Sequence, residues 1–526
     1  MEAEEPTSRE ETSLNARHAS GSLTSNAFWL MCARTLAFGF SFALPLLLVR
    51  SLSQTDFGIY KQVFLVVMTA VNILPLGFHM SAFYFLPREH EQARRSLVIF
   101  NILLFHLVVA GAGSLLLALR PDLLAAIFNT SELAAFAPHI AVVLWLWVGS
   151  WFFEYVAVAN GEVRMATVLI TGLQLTRTLL LVAAGFFFAS VEAIIYASII
   201  QGALQLGALV FYINSRFRSF WRHFSWPMMR SQAAYALPFG FASLFYFMQL
   251  NIDNYFVSHN FGAAAFAIYS IGCFQLPLYQ ILSDSTVAVV IPRVSYLQKE
   301  GAHHEILVLI ARMVRKLAAV YLAVYVFLTI MGREFIVVLF TEQYLASWPI
   351  FVINLVVIPL TIIQNAYEPI IRAYAEHRYF LLAVRTTIFT LLCGALWYGT
   401  PRYGMVGAIT IGITANAVER LIIAVRAARI VGVRRRDWFL LKDVGLLAVA
   451  ALTAGAATFG ARSLLADVKP FYALALCGIV FALVYLALVM LLGIVTTDER
   501  DALRRKAVQL RSLLLWKRAT AVSPPV

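Results

Sequence analysis

Residues 471–494 read FYALALCGIVFALVYLALVMLLGI, a stretch without a single Asp, Glu, Lys or Arg. A helix of about 20 apolar residues is long enough to cross the ~30 Å hydrocarbon layer of a bilayer. The stretch does not alternate polar and apolar side chains, as a strand of a membrane barrel would. It therefore predicts a transmembrane helix, and the rest of the chain repeats the pattern.

Similar apolar stretches follow one another along the whole sequence. The chain is 61% hydrophobic and 13% charged, which is too apolar for a soluble domain. We place helices near residues 27–49, 62–86, 96–119, 134–158, 165–188, 191–213, 233–258, 262–292, 313–331, 347–371, 379–399, 405–425, 438–460 and 471–494. The sequence thus predicts an all-α polytopic membrane protein with about fourteen transmembrane helices.

The basic residues define a topology. Most of the 41 Lys and Arg residues lie in every second connector, a set that includes both termini. Because basic residues resist translocation, both termini are predicted to be cytoplasmic. The net charge of +13 is then concentrated on one membrane face, where anionic lipid head groups explain it better than nucleic acid does.

The sequence contains an internal repeat. Residues 154–164 and 368–378 share Glu, Glu and Arg at the same three positions, which makes helices 1–6 and 7–12 two copies of one unit. Since the unit has an even number of spans, the repeats are predicted to be parallel lobes. The predicted segments are a disordered tail (1–25), an N-terminal lobe (26–213), a linker (214–232), a C-terminal lobe (233–427), helices 13 and 14 (428–495) and a basic tail (496–526).

Two prolines occupy corresponding spans. Pro75 interrupts helix 2 and Pro277 interrupts helix 8. A proline removes a backbone hydrogen bond, which is tolerated in a membrane where neighbours or a water-filled cavity satisfy the freed carbonyl. A packing kink explains either proline alone, whereas the pair favours a cavity between the halves.

Several charged residues lie within the apolar stretches, where an ionised side chain is costly. Buried guanidinium groups suit an anionic ligand, because they form forked hydrogen bonds with phosphate oxygens. The candidate substrate-binding residues are Arg34, Arg177, Arg385 and Arg420. The alternatives are an internal salt bridge for Arg34 and, for Arg420, a side chain that reaches the membrane surface.

Carboxylates in the same apolar stretches suggest a coupling cation or proton. The candidates are Asp253, Asp284, Glu154 and Glu368. A structural role is the alternative for Glu154 and Glu368, because each lies within about a turn of its predicted helix end. For Asp253 the alternative is an internal salt bridge.

The sequence lacks the marks of an enzyme. No Gly-Lys pair occurs, so there is no Walker-type phosphate loop. The longest external connector, 120–133, has only Asp122 and Glu132 as acidic residues, too few for the catalytic pairs of a glycosyltransferase or polymerase. The four cysteines lie inside apolar helices without metal-ligand spacing. We therefore predict no catalytic residue, no metal site and no cofactor.

Three short segments resemble a known family. They are Arg50–Tyr60 (RSLSQTDFGIY), the pair Asp253–Val257 (DNYFV) and Phe261–Ala265 (FGAAA), and Tyr403–Ala408 (YGMVGA). In this order they resemble the multidrug/oligosaccharidyl-lipid/polysaccharide flippase superfamily, and within it the bacterial polysaccharide-biosynthesis branch. The resemblance covers roughly residues 25 to 495.

The resemblance implies two six-helix lobes around a central cavity, as in the multidrug and toxin extrusion (MATE) transporters, with helices 13 and 14 as an addition. It also implies alternating access and export of polyprenyl-diphosphate-linked oligosaccharide across the bacterial inner membrane, with a polysaccharide polymerase and other assembly proteins as partners. Arg34 is the first candidate for diphosphate contact, because relatives place cavity cations in helix 1.

Other functions remain open. Within the superfamily the alternatives are a flippase for peptidoglycan precursors and a drug/cation antiporter. From another class, the chain could be a non-transporting membrane scaffold of a polysaccharide synthase complex, although buried charge argues against a passive scaffold.

Overall fold

A computed structural model describes residues 29, 32, 35–217, 219–222, 224–374, 378–465 and 467–494. These residues form helices joined by short turns, and no strand occurs among them. The fold is therefore all-α, as the sequence predicted.

The helices follow the predicted stretches closely. In the first half they are α1 Thr35–Leu48, α2 Gln54–Ile73, α3 Ser81–Phe85, α4 Gln92–Leu119, α5 Asp122–Phe128, α6 Glu132–Ala135, α7 Ala137–Ser150, α8 Phe153–Ala159, α9 Val163–Phe188 and α10 Val191–Arg216. In the second half they are α11 Trp226–Gly272, α12 Pro277–Lys299, α13 His303–Phe340, α14 Trp348–Leu355, α15 Val357–Ala373, α16 Arg378–Val431, α17 Lys442–Leu464 and α18 Pro470–Leu491.

Helix 2 begins earlier than its hydrophobicity suggests. The side chain of Ser53 accepts a hydrogen bond from the backbone N–H of Asp56 and caps α2 at Gln54. Such a cap satisfies one of the free N–H groups of the first turn, and the acidic Asp56 favours the positive end of the helix dipole. The predicted start at residue 62 was therefore wrong, and residues 54–61 form the first two turns of α2.

The interruptions at Pro75 and Pro277 are confirmed. After α2 ends at Ile73, Leu76 and Gly77 both have positive φ angles, of 44° and 70°, and the chain resumes in a 3₁₀ turn at Phe78. In the corresponding span α11 ends at Gly272 and α12 begins at Pro277. Proline cannot continue a helical hydrogen-bond ladder, which explains both breaks.

Two glycines separate helices that run on almost without a loop. Gly262 has φ 77° inside α11, and Gly404 has φ 66° inside α16. A side chain at either position would be strained in this left-handed region, whereas glycine adopts it freely. These turns lie where the sequence predicted the ends of helices 7 and 11. A third bend, of 49°, follows Pro238.

Ten of the described helical segments are long and apolar enough to cross a membrane, and eleven if the bent pair at Pro238 counts as one span. Each of the fourteen predicted stretches overlaps a described helix. The protein is thus a multi-pass membrane protein, and the number fourteen stays a prediction.

The chain folds into two compact units. Of the described residues, the first unit contains those within Met1–Ile281, Leu339–Asn354 and Glu376–Ile422, and the second those within Leu282–Val338, Leu355–Ala375 and Ile423–Val526. The predicted division into two six-helix lobes stays a prediction.

In the second unit, ion pairs fasten α13 to α17. Arg315 lies 3.6 Å from Asp443, and Arg462 lies 2.8 Å from Glu334. The hydroxyl of Tyr485 in α18 donates to the carbonyl of Ala319 over 2.7 Å. The helices α17 and α18, which correspond to predicted helices 13 and 14, are therefore held to α13 by polar contacts as well as by apolar packing.

Candidate functional site

Within the first unit, α2 packs along α11. At one end, a β-carbon on Gly58 would collide with the backbone carbonyl of Ala263. At the other end, a β-carbon on Gly240 would collide with the carbonyl of Leu76. We call the line between these two backbone contacts the α2–α11 seam. It joins the second helix of one predicted repeat to the first helix of the other.

Buried polar side chains bridge the seam. The amide of Gln62 donates to the hydroxyl of Ser258 over 2.7 Å, and both residues are fully buried. The hydroxyl of Tyr255 donates to the Oγ1 of Thr69 over 2.6 Å. Polar side chains find no hydrogen-bond partner in lipid, whereas helices that associate in a membrane use them for hydrogen bonds with each other.

Asp253 lies on α11 next to this bridge. Its Oδ2 accepts a hydrogen bond of 2.6 Å from the hydroxyl of Tyr269, and its Oδ1 lies 3.4 Å from the amide of Asn254. Tyr269 is fully buried. No ion pair joins Asp253 to another described residue. The described part of the chain therefore contains no salt bridge of the kind that was the alternative for Asp253.

One turn before Asp253 on α11, Gln249 belongs to a second polar cluster. Its amide donates to Glu419 of α16, and Glu419 also accepts from the guanidinium of Arg385 over 3.3 Å. The guanidinium of Arg385 lies 4.6 Å from the ring centroid of Tyr246. The predicted site residue Arg385 is therefore already engaged by a carboxylate and an aromatic ring.

Arg177 has aromatic partners instead of a carboxylate. Its guanidinium lies 4.2 Å from the ring centroid of Trp147 and 5.7 Å from that of Phe64. Its Nε is buried without a hydrogen-bond partner among the described residues. Cation–π contacts offset part of the cost of a desolvated guanidinium. Arg177 contacts a different set of side chains from Arg385.

The other predicted site residues are less informative. Arg34 lies outside the described residues. Arg420 is buried in α16 beside Glu419, and Glu154 is half-buried in α8. In the second unit, Glu368 accepts from Gln364 over 3.3 Å, while Asp284 lies on α12 and its side chain is outside the description. The roles assigned to these residues stay predictions.

Sequence reasoning missed Lys61. The structure places it two turns into α2, half-buried, whereas the predicted helix began one residue later. The segment Ser53-Gln54-Thr55-Asp56 has a Ser and an acidic residue at the spacing of a helix N-cap, a signal that extends the helix to include Lys61. No sequence signal marks Glu419 and Gln249 as partners, because they are brought together only by packing.

No group of three or more His, Cys, Asp and Glu side chains in the described part of the chain is arranged to hold a metal ion. The clusters above consist of carboxylate, hydroxyl, amide and cationic groups that are paired with one another.

The fold is that of the membrane transporters of the multidrug/oligosaccharidyl-lipid/polysaccharide superfamily. The lipid II flippase MurJ in an inward closed conformation has a TM-score of 0.67 at 15% identity, covering 87% of this chain and 98% of that one. An inward-facing multidrug resistance MATE transporter has a TM-score of 0.57 at 12% identity, covering 76% and 94%. A superfamily transporter from Pyrococcus furiosus has a TM-score of 0.54 at 12% identity, covering 78% and 95%.

Family membership comes from the sequence. Residues 23–298, more than half of the chain, match the family described as polysaccharide biosynthesis protein, and the chain belongs to that family. No curated protein sequence shows a significant match to the chain. The expected polysaccharide-biosynthesis family is thus confirmed, while the structural likeness to superfamily transporters at 12–15% identity shows the fold alone.

Proposed function

We propose that the protein is a flippase that exports polyprenyl-diphosphate-linked oligosaccharide repeat units across the bacterial inner membrane for surface polysaccharide biosynthesis. The family membership supports the pathway, and the transporter fold supports movement across the bilayer. The protein acts without catalytic residues or a cofactor, and both termini lie in the cytoplasm. Its partners are the lipid-linked oligosaccharide, the surrounding lipids and the polysaccharide polymerase with other assembly proteins.

The observation that carries the proposal is the buried polar seam between α2 and α11. Gln62, Ser258, Tyr255 and Asp253 place hydrogen-bonding groups deep among apolar helices, where each costs free energy unless it serves packing or transport. Asp253 goes beyond packing, because a hydroxyl or an amide would bridge helices without an ionisable group. We therefore assign Asp253 to the coupling ion.

Alternating access gives the seam its role. In this mechanism the two predicted repeats separate first on one membrane face and then on the other, around a fixed substrate site. The two glycine contacts at Gly58 and Gly240 bring backbones together at both ends of the seam. Loosening one contact while the other holds opens the substrate path to one face at a time.

The test is transport by the purified full-length protein in vesicles. A fluorescent polyprenyl-diphosphate-linked oligosaccharide is placed in both leaflets, and a membrane-impermeant reagent then measures the fraction exposed outside. Protein-dependent movement of this lipid supports the proposal. Movement of lipid II alone would replace it with a peptidoglycan-precursor flippase, and movement of cationic dyes alone with a drug antiporter. A lack of movement for all three supports the scaffold.

A further inference from the structure

Lys61 lies inside the membrane-spanning part of α2. The helix begins at Gln54, so Lys61 lies about 10 Å along its axis, at 1.5 Å per residue. Its side chain is half-buried. A lysine at this depth is expensive in a membrane unless a counter-charge or water accompanies it.

In the described part of the chain, the neighbours of the Lys61 ammonium are an aromatic ring and a thiol group. Its ammonium lies 5.5 Å from the ring centroid of Phe57, one turn earlier on the same helix, and Cys273, the residue after α11, is a neighbour. No hydrogen bond or ion pair joins the ammonium to another residue in the described part of the chain. An ammonium group has three N–H donors, so its capacity for acceptors is unused here.

Other cations in the membrane-spanning helices show what a structural role looks like. Arg315, Arg385 and Arg462 each lie within 4 Å of a carboxylate. Asp253 has Cys273 as a neighbour, as Lys61 does, but it takes its hydrogen bond from Tyr269. Among the described residues these three arginines have a carboxylate partner and Lys61 has none. Lys61 shares this condition with Arg177, whose guanidinium lies over two aromatic rings instead.

We propose that Lys61 binds the diphosphate of the transported lipid. This inference rests on the proposed function and adds the residue that recognises the anionic part of the substrate. Phosphate oxygens accept charge-assisted hydrogen bonds from an ammonium, and these are strong where water is scarce. Phe57 and Cys273 offer no competing oxygen acceptor, and Lys61 lies one turn after Gly58, at one end of the α2–α11 seam.

The direct test is ligand binding by the full-length protein in lipid nanodiscs. The probe is farnesyl diphosphate, with farnesol as the uncharged control. Lys61→Gln and Lys61→Met are expected to weaken farnesyl diphosphate binding about 10- to 100-fold, the effect of losing a hydrogen bond between charged groups. Lys61→Arg keeps most of the affinity, and farnesol binding is unchanged throughout.

Lys442→Gln is the matched control. Lys442 also lies over an aromatic ring, 5.6 Å from the centroid of Phe439, but it is exposed at the start of α17. Its loss should leave the affinity for farnesyl diphosphate unchanged. Equal affinity of the wild type and both neutral Lys61 variants would overturn the inference, as would equal weakening by Lys442→Gln. If Lys61→Gln does not fold, Lys61→Met and Lys61→Arg decide the outcome.

Transport measured on the same preparations separates the two proposals. If the wild type moves the lipid-linked oligosaccharide and neutral Lys61 variants bind and move it equally well, the Lys61 site is wrong and the flippase function stands. If the wild type binds farnesyl diphosphate but moves no lipid, and Lys61→Gln weakens that binding, the anion site stands and the flippase function is wrong.

Discussion

The hydroxyl of Tyr269 donates a 2.6 Å hydrogen bond to the Oδ2 of Asp253, and the two residues lie on opposite sides of the turn at Gly262. The carboxylate of one helix is thus held by the following helix. Any movement that changes the angle at Gly262 changes this hydrogen bond. Proton or cation binding at Asp253 and the arrangement of helices 7 and 8 are therefore expected to depend on each other.

Tyr269→Phe tests the coupling between these two residues. Removing the hydroxyl takes away a hydrogen bond to a charged or ionisable group, and we expect transport to slow about tenfold. The measurement is lipid-linked oligosaccharide movement in reconstituted vesicles. Tyr485→Phe is the matched control, because it removes a hydrogen bond of 2.7 Å to the backbone carbonyl of Ala319, away from the α2–α11 seam, and touches no carboxylate. Equal effects of both variants would argue against a special role for Tyr269.

Neutralising the acidic residues tests ion coupling. In Asp253→Asn combined with Asp284→Asn, we expect the protein to fold and to lose the acceleration of transport by a proton or sodium gradient, because no carboxylate at these positions can take up and release a cation. The measurement compares transport with and without an imposed gradient of each ion. Glu154→Gln serves as a further variant from the other predicted repeat. Transport by the double variant at the wild-type rate would exclude Asp253 and Asp284 as the coupling pair.

The ion pair between Arg385 and Glu419 is expected to act on stability more than on substrate binding. Glu419 is nearly buried and Arg385 partly so, with 8% and 25% of their side chains exposed. Removing one partner of a fully buried pair costs about 3–5 kcal/mol, and the exposure of Arg385 reduces that figure. We expect Glu419→Gln and Arg385→Gln each to lower the thermal unfolding temperature in detergent.

Combining the two changes identifies the interaction. In Arg385→Gln with Glu419→Gln no unpaired charge remains, so the double variant should be more stable than the sum of the single losses implies. Strict additivity would show that the residues act independently. Normal stability in Arg385→Gln with loss of substrate binding would return Arg385 to the substrate site predicted from the sequence.

Hydrophobicity and helix-breaking prolines were enough to predict most of the helices. The apolar stretches locate the helices because bilayer thickness fixes their length, and Pro75 and Pro277 mark breaks because proline interrupts the helical hydrogen bonds locally. Lys61 was missed for the converse reason. A hydrophobicity window starts a helix where polar residues end, whereas α2 starts where Ser53 caps it.

Pairing in space is the part that the sequence could not supply. Arg385 and Glu419 were both visible as charges in apolar helices, but nothing in their types or spacing shows that they contact each other and Gln249. The sequence therefore predicted Arg385 as a substrate ligand, while the structure gives it a carboxylate partner. Lys61 shows the opposite case. Only its contacts reveal that it is a cation without a carboxylate partner among the described residues.

The predicted topology can be tested with single cysteines in a background without the native ones. Ser131→Cys lies in a predicted external connector and Arg222→Cys in a predicted cytoplasmic one, and both positions are exposed. A membrane-impermeant maleimide should label Ser131→Cys in intact cells with a permeabilised outer membrane. It should label Arg222→Cys only after lysis. The reverse pattern would invert the topology, and equal labelling of both in intact cells would place an odd number of spans wrongly.

The seam glycines test whether close backbone contact is needed for transport. Gly58→Ala and Gly240→Ala place a methyl group against a backbone carbonyl that cannot rotate away, and overpacking of this kind costs about 1–3 kcal/mol. Gly172→Ala is the control, because the β-carbon there meets open space within the helix α9. We expect both seam variants to unfold at lower temperature than the control and to transport more slowly.

If alternating access closes each end of the seam in turn, Gly58→Ala and Gly240→Ala should also differ from each other in which membrane face has access to the seam. Forcing one end apart favours access from that face, so a thiol reagent applied from that face should react faster with a seam cysteine placed at Thr69. Identical reaction rates from both faces in both variants would contradict a gate at each glycine contact.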